Sequence, residues 1–223
     1  MGLLKVVGWN CKVGRGDDAV AESLRALIAD THPDVICLQE AMHYVDMLRN
    51  RFDDDWHVYA HGGWPESTNC PMLVSRDHSK KSYDGGWDTL RTHTPWTGPQ
   101  GGHHDGRTWT WVKVEGKVVA SLHRCWGGTS RNTESFQEEH DKIAAFIDKR
   151  DEPVLFLGDH NVGPRDDAAG SSKRIAHKVD GSVRFDEDEP GIDYALCKRI
   201  KGKVKRTKTY GSDHKAVVFT ETD

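Results

Sequence analysis

The sequence predicts a mixed α/β fold, and three features carry that prediction. Short apolar runs recur along the chain, too brief for helices and suited to strands. Amphipathic stretches with apolar residues on one helical face separate some of these runs, which makes strand-helix-strand units. Other runs are joined directly across Glu115-Gly116 and Lys201-Gly202, the pattern of hairpins. Helical crossovers and direct hairpins in one chain exclude a purely parallel sheet.

Taken in order, Leu4 to Trp9 is a strand that ends at Asn10. After a loop at Gly14 to Gly16, Asp17-Asp18 open a helix whose Val20, Leu24, Leu27 and Ile28 share a face, and acidic residues suit its positive N-terminal end. His32-Pro33 closes it, because the residue before a proline is pushed out of the helical region. The strand from Asp34 to Leu38 leads into Gln39-Glu40. Met42, Val45, Leu48 and Phe52 predict a second helix directly afterwards, which fixes Glu40 at a strand-to-helix junction. Trp56 to Ala60 and Met72 to Ser75 read as strands. From Asp77 to Gly106 periodicity gives way to Gly, Pro, Trp and His, and a segment that long without structure is expected to be functional or disordered. Within it, His103-His104-Asp105 reads as a polar loop and not a zinc site, since adjacent histidines point apart and no third ligand follows at the usual spacing.

Thr108 to Val114 and Lys117 to Leu122 form a hairpin, followed by a loop from Arg124 to Asn132. A helix comes next, with Thr133 as candidate cap and Phe136, Ile143 and Ile147 on its buried side. Val154 to Leu157 is a strand covered on both faces, where alternation is not required. Asn161 to Gly191 is polar and reads as loop. Ile192 to Ile200 and Val204 to Tyr210 make a second hairpin, and Lys215 to Thr220 is the final strand.

Composition sets bounds. With 223 residues and 36% hydrophobic content, one domain over 1–223 is expected. No stretch reaches the length of a membrane span, and Lys5 interrupts the N-terminal apolar run, so the expectation is a cytoplasmic monomer without membrane insertion. Cys11, Cys37, Cys70, Cys125 and Cys197 are odd in number and unpaired in spacing, as reduced thiols are. A formal charge of -4 excludes a polycation held on nucleic acid by bulk charge alone.

The stretch Val154-Leu155-Phe156-Leu157-Gly158-Asp159-His160-Asn161 points to chemistry. If extended geometry persists past Gly158, the side chains of Asp159 and Asn161 lie on one side and can share a ligand, while His160 turns away and packs. The plain alternative is an Asx-rich turn that closes the strand. Other runs end in the same way, at Trp9-Asn10, at Gln39-Glu40 and at His123, and Ile192-Asp193-Tyr194 and Ser212-Asp213-His214 add further polar groups.

In this order and at this spacing, the six motifs resemble the endonuclease/exonuclease/phosphatase superfamily, the metal-dependent phosphodiesterases related to deoxyribonuclease I. The resemblance spans nearly the whole chain. It implies a four-layer α/β/β/α sandwich of two mixed β-sheets flanked by helices, with a site where strand ends converge. It also implies roles. Glu40, with Asn10 and Asp213, would hold Mg²⁺ or Mn²⁺, hard cations that take oxygen donors. Asp159 would orient or deprotonate the attacking water, and Asn161 would donate its amide to a phosphate oxygen or that water. Asp193 would fix the tautomer of His214 and raise its pKa, so that a cationic ring holds the phosphate. His123 would stabilise or protonate the leaving group, although no carboxylate partner for it is evident in the sequence.

Two basic segments compete for the substrate. Lys198 to Lys208 has seven Lys or Arg in eleven residues. The hairpin reading places its tip roughly 30 Å from the Asp193–His214 pair, so these residues are expected to protect an exposed edge. The loop after His123 is the expected substrate contact, with Arg124 or Arg131 clasping a phosphate and Trp126 stacking on a base. The resulting expectation is a metal-dependent phosphodiesterase acting on nucleic acid, DNA ahead of RNA. A phosphomonoesterase or a nucleotide or lipid-phosphate hydrolase is the alternative. An inactive binding module is disfavoured, because all six motifs keep chemically competent residues.

Overall fold

The computed structural model describes residues 2–12, 14–60, 70–79, 84–89, 108–124, 133–164 and 172–223. Its elements in chain order are β1 (Lys5–Asn10), α1 (Asp17–Thr31), β2 (Val35–Gln39), a short 3₁₀ turn (Met42–Tyr44), α2 (Val45–Phe52), β3 (Trp56–Tyr59), β4 (Met72–Ser75), α3 (Arg76–Ser79), β5 (Gly85–Thr89), β6 (Thr108–Val114), β7 (Lys117–His123), α4 (Thr133–Asp148), β8 (Val154–Asp159), α5 (Ser172–Lys178), β9 (Ser182–Arg184), β10 (Asp193–Lys198), β11 (Gly202–Arg206) and β12 (Val217–Glu221). The strands form two six-stranded sheets, ordered β11-β12-β1-β2-β4-β3 and β5-β6-β7-β8-β10-β9. Both are mixed, since β1 and β2 are parallel, as are β7 and β8, while the other pairings are antiparallel.

Three apolar cores separate four layers. Val7, Trp9, Ile36 and Leu38 face Val20, Leu24 and Leu27 of α1 and Leu48 of α2. Val6, Val35, Cys37, Val119, Leu155, Leu157 and Ala195 fill the space between the sheets. Ala120, Leu122 and Phe156 pack under Ile143 and Ile147 of α4 and Ile175 of α5. Each fully buried Val, Leu or Phe contributes roughly 1.5–3 kcal/mol, so strands apolar on both faces hold the sandwich together. This is the four-layer α/β/β/α arrangement of two mixed sheets flanked by helices.

The period of two along a strand then decides where polar groups go. Inward-facing residues run Leu4, Val6, Gly8, Asn10 on β1 and Leu155, Leu157, Asp159 on β8; Val119, Ser121, His123 and Cys197, Ala195, Asp193 do the same on β7 and β10. Every file is apolar along the core and polar at one end of the sandwich. Gln39 ends the file on β2 and bridges the sheets: its Nε2 donates to Ser121 Oγ at 3.1 Å, and Ser121 Oγ donates to the Leu38 carbonyl at 2.9 Å.

Gly158 does not turn the chain. It lies inside β8, which runs on to Asp159. Its φ of 152° disfavours a side chain, and a Cβ there would collide with the Leu122 carbonyl and crowd the Gln39 amide. Gly158→Ala is therefore expected to destabilise the fold by about 3 kcal/mol or more, as a reduced denaturant midpoint.

Other boundaries differ from the sequence reading. The chain from Ile192 to Tyr210 is not a hairpin: β10 pairs with β8 and β9 in one sheet, and β11 pairs with β12 in the other. All six residues of β10 are buried, which suits an interior strand, whereas β11 alternates and is an edge. The edge role expected of the basic run holds for β11. In the segment read as patternless, α3 and β5 form; β5, Gly85 to Thr89, is an edge strand with one large apolar residue, Trp87, too little to signal itself. Likewise α5 and β9 occupy the stretch read as loop between Asn161 and Gly191. α4 includes Thr133 as its first residue, Ile143 and Ile147 are buried as expected, and the Phe136 side chain lies outside the described residues. So do Cys125 and the His103-His104-Asp105 loop. The other four cysteines are buried and none of them is in a disulfide among the described residues. Among the described residues no helix is long and apolar enough to cross a membrane.

Candidate active site

Three neighbouring strands set the first row of side chains. Asp159 is in register with His123 on parallel β7 and with Asp193 on antiparallel β10. Residues in register on adjacent strands point to one face, about 4.8 Å apart, so backbone pairing alone gathers an imidazole and two carboxylates. All three are buried. His123 Nε2 is 3.4 Å from Asp159 Oδ2, so the register supplies the carboxylate neighbour the sequence did not reveal.

His214 enters from the segment before β12. Its backbone N–H donates to Ser212 Oγ at 3.2 Å, and that hydroxyl donates to the Asn10 carbonyl at 2.7 Å, which moors the segment to β1. His214 Nδ1 donates to Asp193 Oδ2 at 2.9 Å, and its Nε2 stands 4.0 Å from Asp159 Oδ2. The hydrogen bond to Asp193 raises the His214 pKa from 6.5 to about 9; burial opposes the rise, and the charges of Asp193, Asp159 and Asp213 add to it. The ring is thus cationic at neutral pH, with Nε2–H free for a third group.

From the opposite sheet Asn10 reaches across. Its Oδ1 accepts from the Lys12 N–H at 3.1 Å, which turns Nδ2 toward Glu40 Oε1 and Asp159 Oδ2, each at 3.2 Å. Glu40 sits at the junction after β2 with φ 57°, a left-handed conformation uncommon outside glycine and frequent at functional sites. Asp213 is more exposed and pairs with Lys12 Nζ at 3.0 Å, which holds its carboxyl below the usual carboxylate range.

Of the remaining expected groups, Asn161 is not extended. Its φ is 53°, its N–H donates to Asp159 Oδ1 at 2.8 Å, and its side-chain Nδ2 donates to the Arg124 carbonyl at 2.7 Å. The Asx turn and the site thus coincide, and Asn161 fixes one oxygen of Asp159 in place of sharing a ligand beside it. Arg124 does not clasp a substrate: its side chain is fully buried against Glu139 of α4, with Nε 3.4 Å from Oε2. Strand alternation explains this, since the residue after inward-facing His123 points outward. Trp126 and Arg131 lie outside the described residues. His160 packs as expected, stacked on Tyr194 with centroids 3.9 Å apart, and burial keeps its pKa well below 6.5.

Two residues escaped the sequence reading. Lys12 neutralises Asp213, and Arg206, from the basic run judged too distant, brings Nη2 to 3.8 Å from Asp193 Oδ2. Arg206 lies where any side chain at Gly191 would strike its guanidinium, so Gly191 beside Ile192-Asp193 was the available signal.

The donors fit a hard divalent cation. Glu40 Oε1 and Asp159 Oδ2 both accept from Asn10 Nδ2 and so lie close together, oxygen donors of the kind such a cation takes, while Asn10 Oδ1 accepts from the Lys12 N–H. Asp159, Asp193 and His214 also place one ligand atom each within 4.8 Å of one another, a second group that could hold a metal ion.

Residues 7–214 match the sequence model of the Endonuclease/Exonuclease/phosphatase family. A search of curated proteins finds no match. Among solved structures, the chain is similar to a mannosyl-6-phosphatase from Bacteroides thetaiotaomicron, with TM-score 0.69 and 14% identity over 99% of this chain and 100% of that one. The human Nocturnin catalytic domain with bound sulfate anion gives 0.68 and 13% over 99% and 94%. D. rerio TDP2 complexed with single strand DNA product gives 0.64 and 15% over 100% of both chains.

Proposed function

Because the chain belongs to the endonuclease/exonuclease/phosphatase family, we propose that it is a divalent-metal-dependent phosphodiesterase acting on nucleic acid, DNA in preference to RNA. The observation that carries this reading is the in-register row His123, Asp159, Asp193, completed by His214. The whole of 1–223 is read as one catalytic domain. Glu40, Asn10 and Asp213 would hold Mg²⁺ or Mn²⁺, and when bound the cation offsets the negative charge of the phosphate. Asp213 joins that set by exchanging its ion pair with Lys12.

The chain's own groups divide the remaining work. Asp159, held by the Asn161 N–H and Asn10 Nδ2, takes a proton from the attacking water. His214, fixed through Nδ1, presents Nε2–H to a phosphate oxygen. His123 gives a proton to the leaving oxygen from the neighbouring strand. Arg206 adds a second positive charge beside Asp193. The single-strand complex of the TDP2 relative supports nucleic acid as substrate. Likeness to a mannosyl-6-phosphatase favours the alternative, a phosphomonoesterase. Purified protein with Mg²⁺ separates them when assayed on plasmid, single strands, RNA oligomers, a small phosphodiester and a sugar phosphate. Turnover of the monoester alone would reject the diesterase reading.

Chelation is expected to abolish turnover reversibly. Glu40→Gln should weaken Mn²⁺ binding by about tenfold or more, read by the paramagnetic signal of the free ion. Unchanged Mn²⁺ affinity in that variant would remove Glu40 from the ligand set.

A further inference from the structure

On the outer face of the second sheet, α4 and α5 enclose a cleft of about 670 Å³. Both helices turn their apolar residues, Ile143, Ile147 and Ile175, into the core. Outside they carry three cations: among the described residues Lys173, Arg174 and Lys178 line the cleft, together with Gln137, the rings of His140 and His177 and the carboxylate of Asp141. Asp141 Oδ1 is already served by Gln137 Nε2 at 3.2 Å and Lys178 Nζ at 3.3 Å, with His140 Nδ1 at 3.3 Å. His140 is 7% exposed, and its Nε2 has no hydrogen-bond partner among the described residues. Burial holds the His140 pKa below 6.5, so this ring is part of the wall and the cations of α5 supply the charge.

The cleft is also tied to the site. Glu139, next to His140, holds buried Arg124, whose N–H donates to the Asp159 carbonyl at 2.9 Å. β7 carries His123 at its C-terminal end and is followed by α4, so the first turns of α4 belong to the catalytic end of the sandwich. Asp141 is about 12 Å down that helix from its first residue. From Lys173 to Lys178 the cations extend about 7.5 Å along α5, a spread that suits consecutive phosphates better than one small anion.

We propose that the α4–α5 cleft is a distal anchor for the phosphate backbone of a nucleic-acid strand whose reacting bond lies at Asp159. This rests on the nuclease reading above. The anchor acts on affinity for long strands and leaves the chemistry to the row of catalytic groups. The exposed residues Lys173 and Arg174 serve for the test, as K173E/R174E and the milder K173Q/R174Q.

Single strands of about four and about sixteen nucleotides are compared for kcat/KM, and the longer one also for affinity at several salt concentrations. The parent should favour the longer strand by about tenfold or more, and both variants should lose that preference while cleaving the shorter strand as the parent does. The slope of log affinity against log salt should fall by about 1.4 for two lost contacts. A length preference and salt slope unchanged in both variants would overturn the anchor. A parent that cleaves both lengths equally well would also overturn it and leave the nuclease reading intact, whereas a parent that turns over only small phosphate esters removes both.

Discussion

Asp159→Asn lowers kcat/KM by about a thousandfold or more, the expectation for a residue that removes a proton and fixes the field at once. The geometry sets the size of the effect. One oxygen is held by the Asn161 N–H, and the other lies against Asn10 Nδ2, His123 Nε2 and His214 Nε2. A carboxamide keeps the shape and the first contact. It cannot accept a proton from water, and its NH₂ would face donors where a carboxylate oxygen was. Kinetics with saturating metal, and a melting curve to check the fold, make the measurement. Activity within fivefold of the parent would remove Asp159 from the role of base.

The second large effect belongs to Asp193 and His214. Asp193→Asn and His214→Ala should each cost on the order of a hundredfold, and the double variant little more than the worse single one, because a carboxylate that orients a ring has little left to do without it. Losses that multiply would show two independent groups, and Arg206, 3.8 Å from Asp193, is the place to look for the second. The pH profile adds a separate readout. With the ring pKa raised from 6.5 to about 9, activity that needs the imidazolium holds to that range and falls as pH rises through it; Asp193→Asn should bring the fall toward neutral pH. Stability follows the same sign. The folded-state pKa lies above the unfolded one, so the contribution is complete below pH 6.5 and is lost on the way up through about 9. Denaturant midpoints between pH 6 and 10 should show that decline in the parent and a weaker one in Asp193→Asn.

Much of this was legible in the sequence for a simple reason. An apolar file that ends in a polar residue tells both where the core stops and which way that residue points, and Asn10, His123, Asp159 and Asp193 are such endings. The same period of two, applied one residue further, places Arg124 on the outer face, where it is found against Glu139. What local pattern does not encode is which sheet a strand joins. The short link at 199–201 looks the same whether its strands pair or part, and with the pairing undetermined, Arg206 could not be placed next to Asp193. Lys12 and Asp213 are 201 residues apart, and no spacing rule connects them. α5 and β9 were hidden for the opposite reason: they bury few side chains, chiefly Ile175 and Ala176, and so leave little periodicity to read.

The pairing of β1 with β12 bears on when activity can appear. Lys5 lies opposite Thr220 and Gly8 opposite Val217, so the first sheet is completed by two segments more than two hundred residues apart. Asn10 comes from one of them, and His214 immediately precedes the other. Contacts of such separation form late, after most of the chain-closure entropy has been met. During synthesis, a ribosome-bound chain that lacks residues 212–221 has His123 and Asp159 but neither the cation of the dyad nor the strand that moors it. Hydrolytic competence therefore comes with the closing of the sheet, and recovery of activity on refolding is a clock for that last step.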